Sequence, residues 1–391
     1  MVESEALERP WFKLWPEAIP KHLDYPKEFP IYKFLQNSAE QYPDNVATIF
    51  FDKKIKYGEL WDKVLRFASA LSKLGVTKGD RVGIYLPNCP QFVIAFFAIN
   101  KIGAMIVPFN TQYVDHELVY QLNDSGARVV ICVDIVYNRV RKIRDKKLAE
   151  LDHIIVASLR EEMSFSKRWL GTIFGKVPPS RKIRSGDLSF SKLIAESNPE
   201  EVPEVEINPE KDLALIQYTG GTTGVSKGAM LTHYNIISNQ MQITHLYFPP
   251  IQQGEECYVV ALPLFHIYAL NTCMIAAISQ ASKMILITDP LAGRPMLQDL
   301  LESLYKYRPT MFHAVPSLYV GLLYHPEIKD YDLTSIRACL SGAAPLPEQV
   351  MYNFEELTGA NVVEGYGLTE TSPVTHVNPF IDGLKRAGSI G

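Results

Sequence analysis

The sequence predicts an α/β fold of two αβ-layered subdomains, each built on a largely parallel sheet with crossover helices. Three observations predict it. Apolar runs of strand length alternate with helix-like stretches, the pattern of parallel sheets joined by crossovers. Proline and glycine punctuate the ends of the helix-like stretches. A length of 391 residues, 47% of them hydrophobic, also exceeds what a single core usually serves.

Residues 1–33 read as an N-terminal extension, 34–160 as the first α/β subdomain, 161–210 as a basic and aromatic linker or insert, and 211–391 as the second subdomain. In the first, Val82–Leu86, Ala104–Val107, Val129–Val133 and Ile154–Ala157 are the strand-length apolar runs. Phe92 to Ile99 is apolar throughout, but Asn100 and Lys101 interrupt it well short of the ~20 residues a membrane-spanning helix needs. It reads as a buried helix with Pro90 in its first turn and Gly103 at its end. The second series begins near Leu213 and includes Tyr258–Leu262, Met284–Ile287, Met311–Val315 and Ile336–Leu340. Between Pro347 and Gly359, Val350, Phe354 and Leu357 fall on one helical face.

A net charge of -4 argues against nucleic acid as the main partner. The five cysteines are scattered, odd in number and without metal-ligand spacing, so they read as core thiols of a reducing compartment. The first residues are acidic where a signal peptide would be basic and then apolar, and a cytoplasmic location is expected. Between Phe165 and Arg184, six basic residues crowd around Phe165, Trp169, Leu170, Ile173 and Phe174 with no acid between them. Two readings stay open: a solvated linker docked by Trp169, or peripheral membrane contact through 163–184. Pro178 and Pro179 argue against one long helix there.

Between Tyr218 and Gly228 stand Thr219, Gly220, Gly221, Thr222, Thr223, Gly224, Val225, Ser226 and Lys227. Glycines bring backbone N–H groups close to an anion, threonine hydroxyls add donors, and Lys227 supplies a mobile charge for phosphate oxygens. The P-loop spacing fails, because Gly228 follows Lys227 where a magnesium-binding Ser or Thr is required. A glycine-rich run alone also suits a turn or linker. The preceding Leu213–Ile216 reads as a buried strand that delivers the loop to the carboxyl end of a sheet, where open α/β folds place ligands.

Together with Ala261-Leu-Pro-Leu-Phe-His-Ile-Tyr-Ala-Leu270, Ser341-Gly-Ala-Ala-Pro345, Glu364-Gly-Tyr-Gly-Leu-Thr-Glu-Thr371 and Gly388-Ser-Ile-Gly391, in that order, this run resembles the motifs of the adenylate-forming superfamily of acyl-CoA synthetases, luciferases and adenylation domains. The likeness extends from about Phe34 to the last residue and is greatest to long-chain fatty acyl-CoA synthetases. It implies most of that family's N-terminal domain and a reaction in which a carboxylate attacks the α-phosphate of ATP, releases pyrophosphate and leaves an acyl adenylate for the thiol of coenzyme A.

The resemblance also implies roles. Thr219–Gly224 and Lys227 hold phosphates; Gly342, Ala343, Ala344, Glu364, Gly365, Tyr366 and Gly367 surround the adenine, with Tyr366 stacked on it. Thr369 reaches a phosphate. Glu370 is the magnesium candidate, since Mg2+ is commonly held by one or two carboxylates together with substrate phosphates. His266 stands near the carboxylate entrance for orientation and gating, while Tyr268, Leu270, Val315, Leu318, Tyr319 and Gly342 are candidate walls for the acyl chain. Some long-chain relatives carry a tryptophan gate near the position of Leu270, and none stands here.

Ten buried methylenes would contribute roughly 8 kcal/mol, yet a single carbon discriminates poorly. The expected partners are fatty acid, ATP with Mg2+ and coenzyme A, with a homodimer admitted. The chief departure from the family pattern is that the ribose-binding aspartate, the hinge and the C-terminal domain with its adenylation lysine are missing, which predicts weakened nucleotide binding and low turnover. Another adenylate former, such as an aryl-CoA ligase or an amino-acid adenylation domain, and a non-catalytic nucleotide- or acyl-binding fragment are the alternatives.

Overall fold

The computed structural model describes residues 12, 15–17, 19–173, 181–219, 225–247, 249–381 and 384–391, the side chains of 170–173 excepted. Its strands fall into three groups along the chain. First come β1 (Val46–Phe50) and β2 (Lys53–Lys56). Next are β3 (Arg81–Tyr85), β4 (Met105–Pro108), β5 (Val129–Val133), β6 (His153–Ala157), β7 (Leu188–Ser189), β8 (Leu213–Tyr218) and β9 (Gly228–Thr232). Last are β10 (Cys257–Val260), β11 (Lys283–Leu286), β12 (Met311–Phe312), β13 (Ala338–Ser341), β14 (Asn361–Gly367) and β15 (Val374–Val377).

The middle group makes a seven-stranded sheet in the order β7-β6-β5-β3-β4-β8-β9. The outer groups join in an eight-stranded sheet, β15-β14-β13-β12-β10-β11-β1-β2. Both are parallel except for antiparallel hairpins at their margins, β8–β9, β14–β15 and β1–β2. The apolar strands follow from this topology: β5 is buried along its whole length, as a parallel strand covered on both faces should be.

Sheet membership crosses the boundaries drawn from sequence. β1 and β2 lie in the stretch read as the first subdomain, yet β1 pairs with β11, Thr48 opposite Met284. β8 and β9 open the stretch read as the second subdomain, yet β8 pairs with β4, Ile106 opposite Leu215. Alternation of strand and helix reports periodicity, not which distant strand supplies the neighbour. The 161–210 segment is also more than a linker, because β7 joins the sheet edge and Phe190, at the start of the next helix, packs on Phe67 with ring centroids 4.3 Å apart.

The helix Pro90–Lys101 is buried at every position. Proline opens it, and Gly103 follows its end with φ +71°. Its three polar residues are accommodated individually, Gln91 by donating from Nε2 to the Ser158 carbonyl at 3.0 Å. Asn100 Nδ2 donates to the Phe96 carbonyl at 3.0 Å, and Lys101 places its ammonium 4.7 Å from the Tyr32 ring centroid and 3.6 Å from Glu204. Two residues before the helix, in the loop that follows β3, buried Asn88 joins the two sheets. Its Nδ2 donates to the carbonyls of Val260 and Leu262 at 2.9 and 2.8 Å, and its Oδ1 accepts the Leu264 N–H at 2.8 Å. A side chain from a loop of the seven-stranded sheet thus shapes the turn that leaves β10.

Candidate functional site

β8 and β9 pair antiparallel, Tyr218 opposite Gly228. Thr219 N–H donates to the Lys227 carbonyl at 2.9 Å, and the Ser226 hydroxyl donates to the Thr219 carbonyl. The glycine-rich run therefore lies in the chain between two paired antiparallel strands. Gly220, Gly221, Thr222, Thr223 and Gly224 lie outside the described residues. A P-loop runs from strand into helix and offers the helix N-terminus to its anion; here the chain returns as a strand. The next helix starts only at His233, its first turn capped by Thr232 and Asn235. Anion binding at the hairpin would rest on loop amides, hydroxyls and Lys227. Lys227 is exposed, and its ammonium has no partner among the described residues. Two tyrosines brace the base of the hairpin: Tyr218 donates to Asp124 at 2.5 Å, and Tyr120 to the Ser226 carbonyl at 2.9 Å.

Four parallel strands, β10, β12, β13 and β14, end beside one another, and their C-terminal ends carry the other candidates. His266 follows β10. Asn88 fixes the turn before it, and Gln217 of β8 donates to the Phe265 carbonyl at 2.8 Å, linking that turn to the hairpin. The imidazole is open to water, while the protein around it lowers its pKa through desolvation. Neutral His266 can orient a carboxylate by hydrogen bonding without contributing a full charge.

Beyond it, Leu270–Ile275 forms a π-helix, a geometry that often marks functional sites. Tyr268 donates its hydroxyl to the Leu340 carbonyl at 2.6 Å. Its ring lies against Gly342 so closely that an added Cβ there would stand 3.2 Å from the ring. Val315, after β12, is half-buried. Leu270 and Tyr319 are fully buried and Leu318 nearly so, packed into the main core.

After β13, Ala343 takes a left-handed φ of 68°. Such a backbone costs on the order of 1–3 kcal/mol for a non-glycine residue and persists where the surroundings over-determine it. Glu364 is one of the determinants: its buried carboxylate accepts the Leu346 N–H at 2.8 Å. Ala343 and Ala344 are held exposed as a result. On β14 the Tyr366 ring is 45% exposed, available for stacking. Gly367 admits no side chain, since a Cβ there would lie 2.1 Å from the Pro373 carbonyl oxygen.

The short turn Thr369–Thr371 follows, and it lies beside β9. The fold thus brings Glu370 and Thr369 next to the hairpin that carries Lys227. Glu370 is exposed and makes no hydrogen bond or ion pair among the described residues. There, no group of three or more metal-ligating side chains forms a cage. One accessible carboxylate suits Mg2+, which usually keeps waters and takes the rest of its ligands from phosphates.

Two positioning residues carry no motif signal. Asn239 exchanges two hydrogen bonds with the backbone of Val374, at 2.7 and 3.1 Å, and Asn271 donates to the carbonyls of Ser372 and Ile236 at 2.6 and 3.2 Å. Together they hold the return arm of the β14–β15 hairpin. Buried amides in otherwise apolar stretches, such as Asn271 beside Leu270, are the trace they leave in sequence. His313 and His233 are buried structural histidines. His313 accepts the Leu340 N–H on Nδ1 at 3.2 Å and meets the Tyr247 hydroxyl at 2.7 Å, and His233 accepts the Ile31 N–H at 3.3 Å. An open concavity of about 630 Å³ lined by Glu302, Tyr305, Lys306, Arg308, Tyr331 and Asp332 contains none of the candidate residues.

A family model described as AMP-binding enzyme matches residues 35–391. The chain is 38% identical to a long-chain fatty acid CoA ligase of Bacillus subtilis, over 98% of this chain and 67% of that protein. It is 32% identical to a long-chain fatty acid CoA ligase of Escherichia coli O6:H1, over 98% of this chain and 68% of that protein. In fold it is similar to an anthranilate CoA ligase crystallised with anthranoyl-AMP, with a TM-score of 0.80, 24% identity, and coverage of 94% of this chain and 64% of that one. The chain thus spans about two thirds of the length of these relatives.

Proposed function

The chain belongs to the AMP-binding enzyme family, and from that premise we propose that it carries the nucleotide and acyl site of an ATP-dependent fatty acid CoA ligase. The observation that carries the reading is convergence. The turn with Thr369 and Glu370 lies against β9 of the hairpin with Lys227, and the exposed Tyr366 and the His266 turn stand at the ends of β14 and β10 in one sheet, although all come from distant parts of the sequence. The relatives named above, long-chain fatty acid CoA ligases by name, support the substrate class.

In the proposed reaction a fatty carboxylate oxygen bonds to the α-phosphorus of ATP as the bond to pyrophosphate breaks. The thiol of coenzyme A then takes the acyl group and AMP leaves. Such transfers depend on positioning and charge stabilisation more than on covalent chemistry by the protein. Thr219–Gly224 and Lys227 hold and neutralise the phosphates, Thr369 adds a hydroxyl, and Tyr366 stacks on adenine between Gly365 and the segment Gly342–Ala344. His266, uncharged, orients the carboxylate. Tyr268 against Gly342 and Val315 border the acyl entrance, with Leu270, Leu318 and Tyr319 behind them. Mg2+, bound through Glu370 and the phosphates, would neutralise charge on the departing pyrophosphate. Fatty acid, ATP and coenzyme A are the partners, and a peripheral membrane contact would supply the first.

The test is pyrophosphate exchange into ATP on a panel of long-chain, aryl and amino acids, with Mg-ATP binding measured on the same protein. Mg-ATP binding and exchange driven by long-chain acids are expected. Exchange confined to amino acids or aryl acids would replace the fatty substrate, and failure to bind Mg-ATP would remove the site.

A further inference from the structure

The helix Phe165–Ile173 presents its aromatic residues to water. Phe165 is 75% and Trp169 57% exposed, four residues apart and so on one helical face. A surface helix ordinarily turns that stripe toward the core. Lys167 and Arg168 are exposed beside it, and the Arg168 guanidinium stands 5.9 Å from the Phe165 ring centroid.

The fold adds residues that sequence places far away. Ser164 N–H, just before the helix, donates to the Phe51 carbonyl at 3.2 Å, and Phe51, in the β1–β2 turn, is 41% exposed. Lys53 ties the same turn to Glu162 at 2.6 Å. Lys54 extends outward from edge strand β2, and no ion pair involves it or Lys167 among the described residues. Lys306 reaches Asp52 between Phe51 and Lys53. Burial raises the Asp52 carboxyl, but bonds from Lys306 and Tyr307 and the charge of Lys167 hold it below its ordinary value, which places Lys167 in the same neighbourhood.

Topology puts this edge away from the candidate site. The helix follows β6, four places from β8 in the seven-stranded sheet, while β1–β2 and β14–β15 close opposite margins of the eight-stranded one.

We propose that this edge is a docking surface for an anionic lipid bilayer, with Phe51, Phe165 and Trp169 entering the headgroup boundary and Lys54 and Lys167 facing lipid phosphates. Aromatic side chains beside unneutralised lysines match both parts of such an interface: apolar area for the acyl boundary and positive charge for the headgroups. No helix among the described residues is long and apolar enough to cross a membrane, so the contact lies on the surface. The nucleotide side stays in water when this edge is docked. The surface goes beyond the ligase reading and does not depend on it.

The test is co-sedimentation of the protein with vesicles of phosphatidylcholine alone and of phosphatidylcholine with phosphatidylglycerol in equal parts, at low and high salt. Binding to the anionic vesicles, weakened by salt, is expected. Lys54→Glu with Lys167→Glu should lower partition by roughly 25-fold or more, at about five-fold per lysine. Phe165→Ser with Trp169→Ser should abolish it with the far-UV circular dichroism unchanged, while Tyr352→Ser, at another exposed aromatic, leaves it intact. Equal binding by the parent and both double variants would overturn the proposal. So would concentration-dependent self-association abolished by the Phe165 and Trp169 changes, which would make a second copy of the chain the occupant.

Discussion

At Gly367 the backbone of β14 runs so close to the Pro373 carbonyl that even a methyl group has no room. Gly367→Ala is expected to destabilise the fold by about 1–3 kcal/mol, the range for overpacking, and to displace the Thr369–Thr371 turn; an unchanged denaturation midpoint would show that the hairpin yields. The charged pair at the site behaves differently, since both side chains are exposed and neither supports packing. Lys227→Ala and Glu370→Ala should each leave stability within about 0.5 kcal/mol, as surface substitutions do. Each should reduce acid-driven pyrophosphate exchange on the order of 10²-fold, as loss of one electrostatic stabiliser does. Exchange rates and melting curves on the same preparations separate the two effects.

The buried histidines set a pH dependence of their own. Burial holds His313 at about 3 and His233 at about 4, against an ordinary value near 6.5. The unfolded chain therefore binds protons that the folded one refuses between pH 4 and 6.5, and stability falls as pH drops through that window. The slope approaches about 1.4 kcal/mol per pH unit for each histidine. Urea midpoints at pH 7 and pH 5 should show the fall, and His313→Asn should reduce the difference; a variant with an undiminished slope would assign the titration elsewhere.

Among elements, those legible in sequence are the ones whose signal is local. Pro90 and Gly103 bracket the buried helix, and Gly359 ends the helix Glu348–Thr358 in the left-handed region. The parallel strands were legible from apolar runs because both their faces are covered. The hairpins were not. β9 is intermediate to exposed except at buried Leu231 and holds only the short apolar run Ala229–Leu231, and β15 sets two polar residues between its two valines, so neither offers the long apolar run of a covered strand. Their places come from pairing, Tyr218 with Gly228 and Tyr366 with His376. The glycine run reads as a phosphate-loop candidate by its composition, whereas nothing local in the sequence marks the strand that follows it. Asn271 and Asn239 belong to this level as well, because each links a helix to the return arm of β14–β15. Asn271→Leu should cost about 1–3 kcal/mol by leaving buried carbonyls unpaired, and hydrogen exchange at the Thr375 and His376 amides should accelerate. Exchange that stays as slow as in the parent would mean that packing alone holds the arm.

For the whole molecule, the chain threads through both sheets in turn. β1 and β2 enter the eight-stranded sheet, β3 through β9 complete the other, and β10 onward return to the first. Asn88 then fastens the two together at the mouth of the candidate site. Asn88→Ala leaves the Leu262 carbonyl and the Leu264 amide without their partner and takes one of two donors from the Val260 carbonyl, which keeps the Ile287 N–H, so a loss of about 2–3 kcal/mol is expected. A single cooperative transition should persist, read by circular dichroism and by tryptophan fluorescence together.

The threading also governs what a protease could release. A cut between β7 and β8 would leave the upstream fragment with two strands whose neighbours are downstream, and the downstream fragment with a hairpin that belongs upstream. Neither fragment could close its own sheet, so the nicked protein should stay associated as a complementing pair. On the ribosome, β1 must wait until Lys283–Leu286 has emerged before β11 arrives beside it.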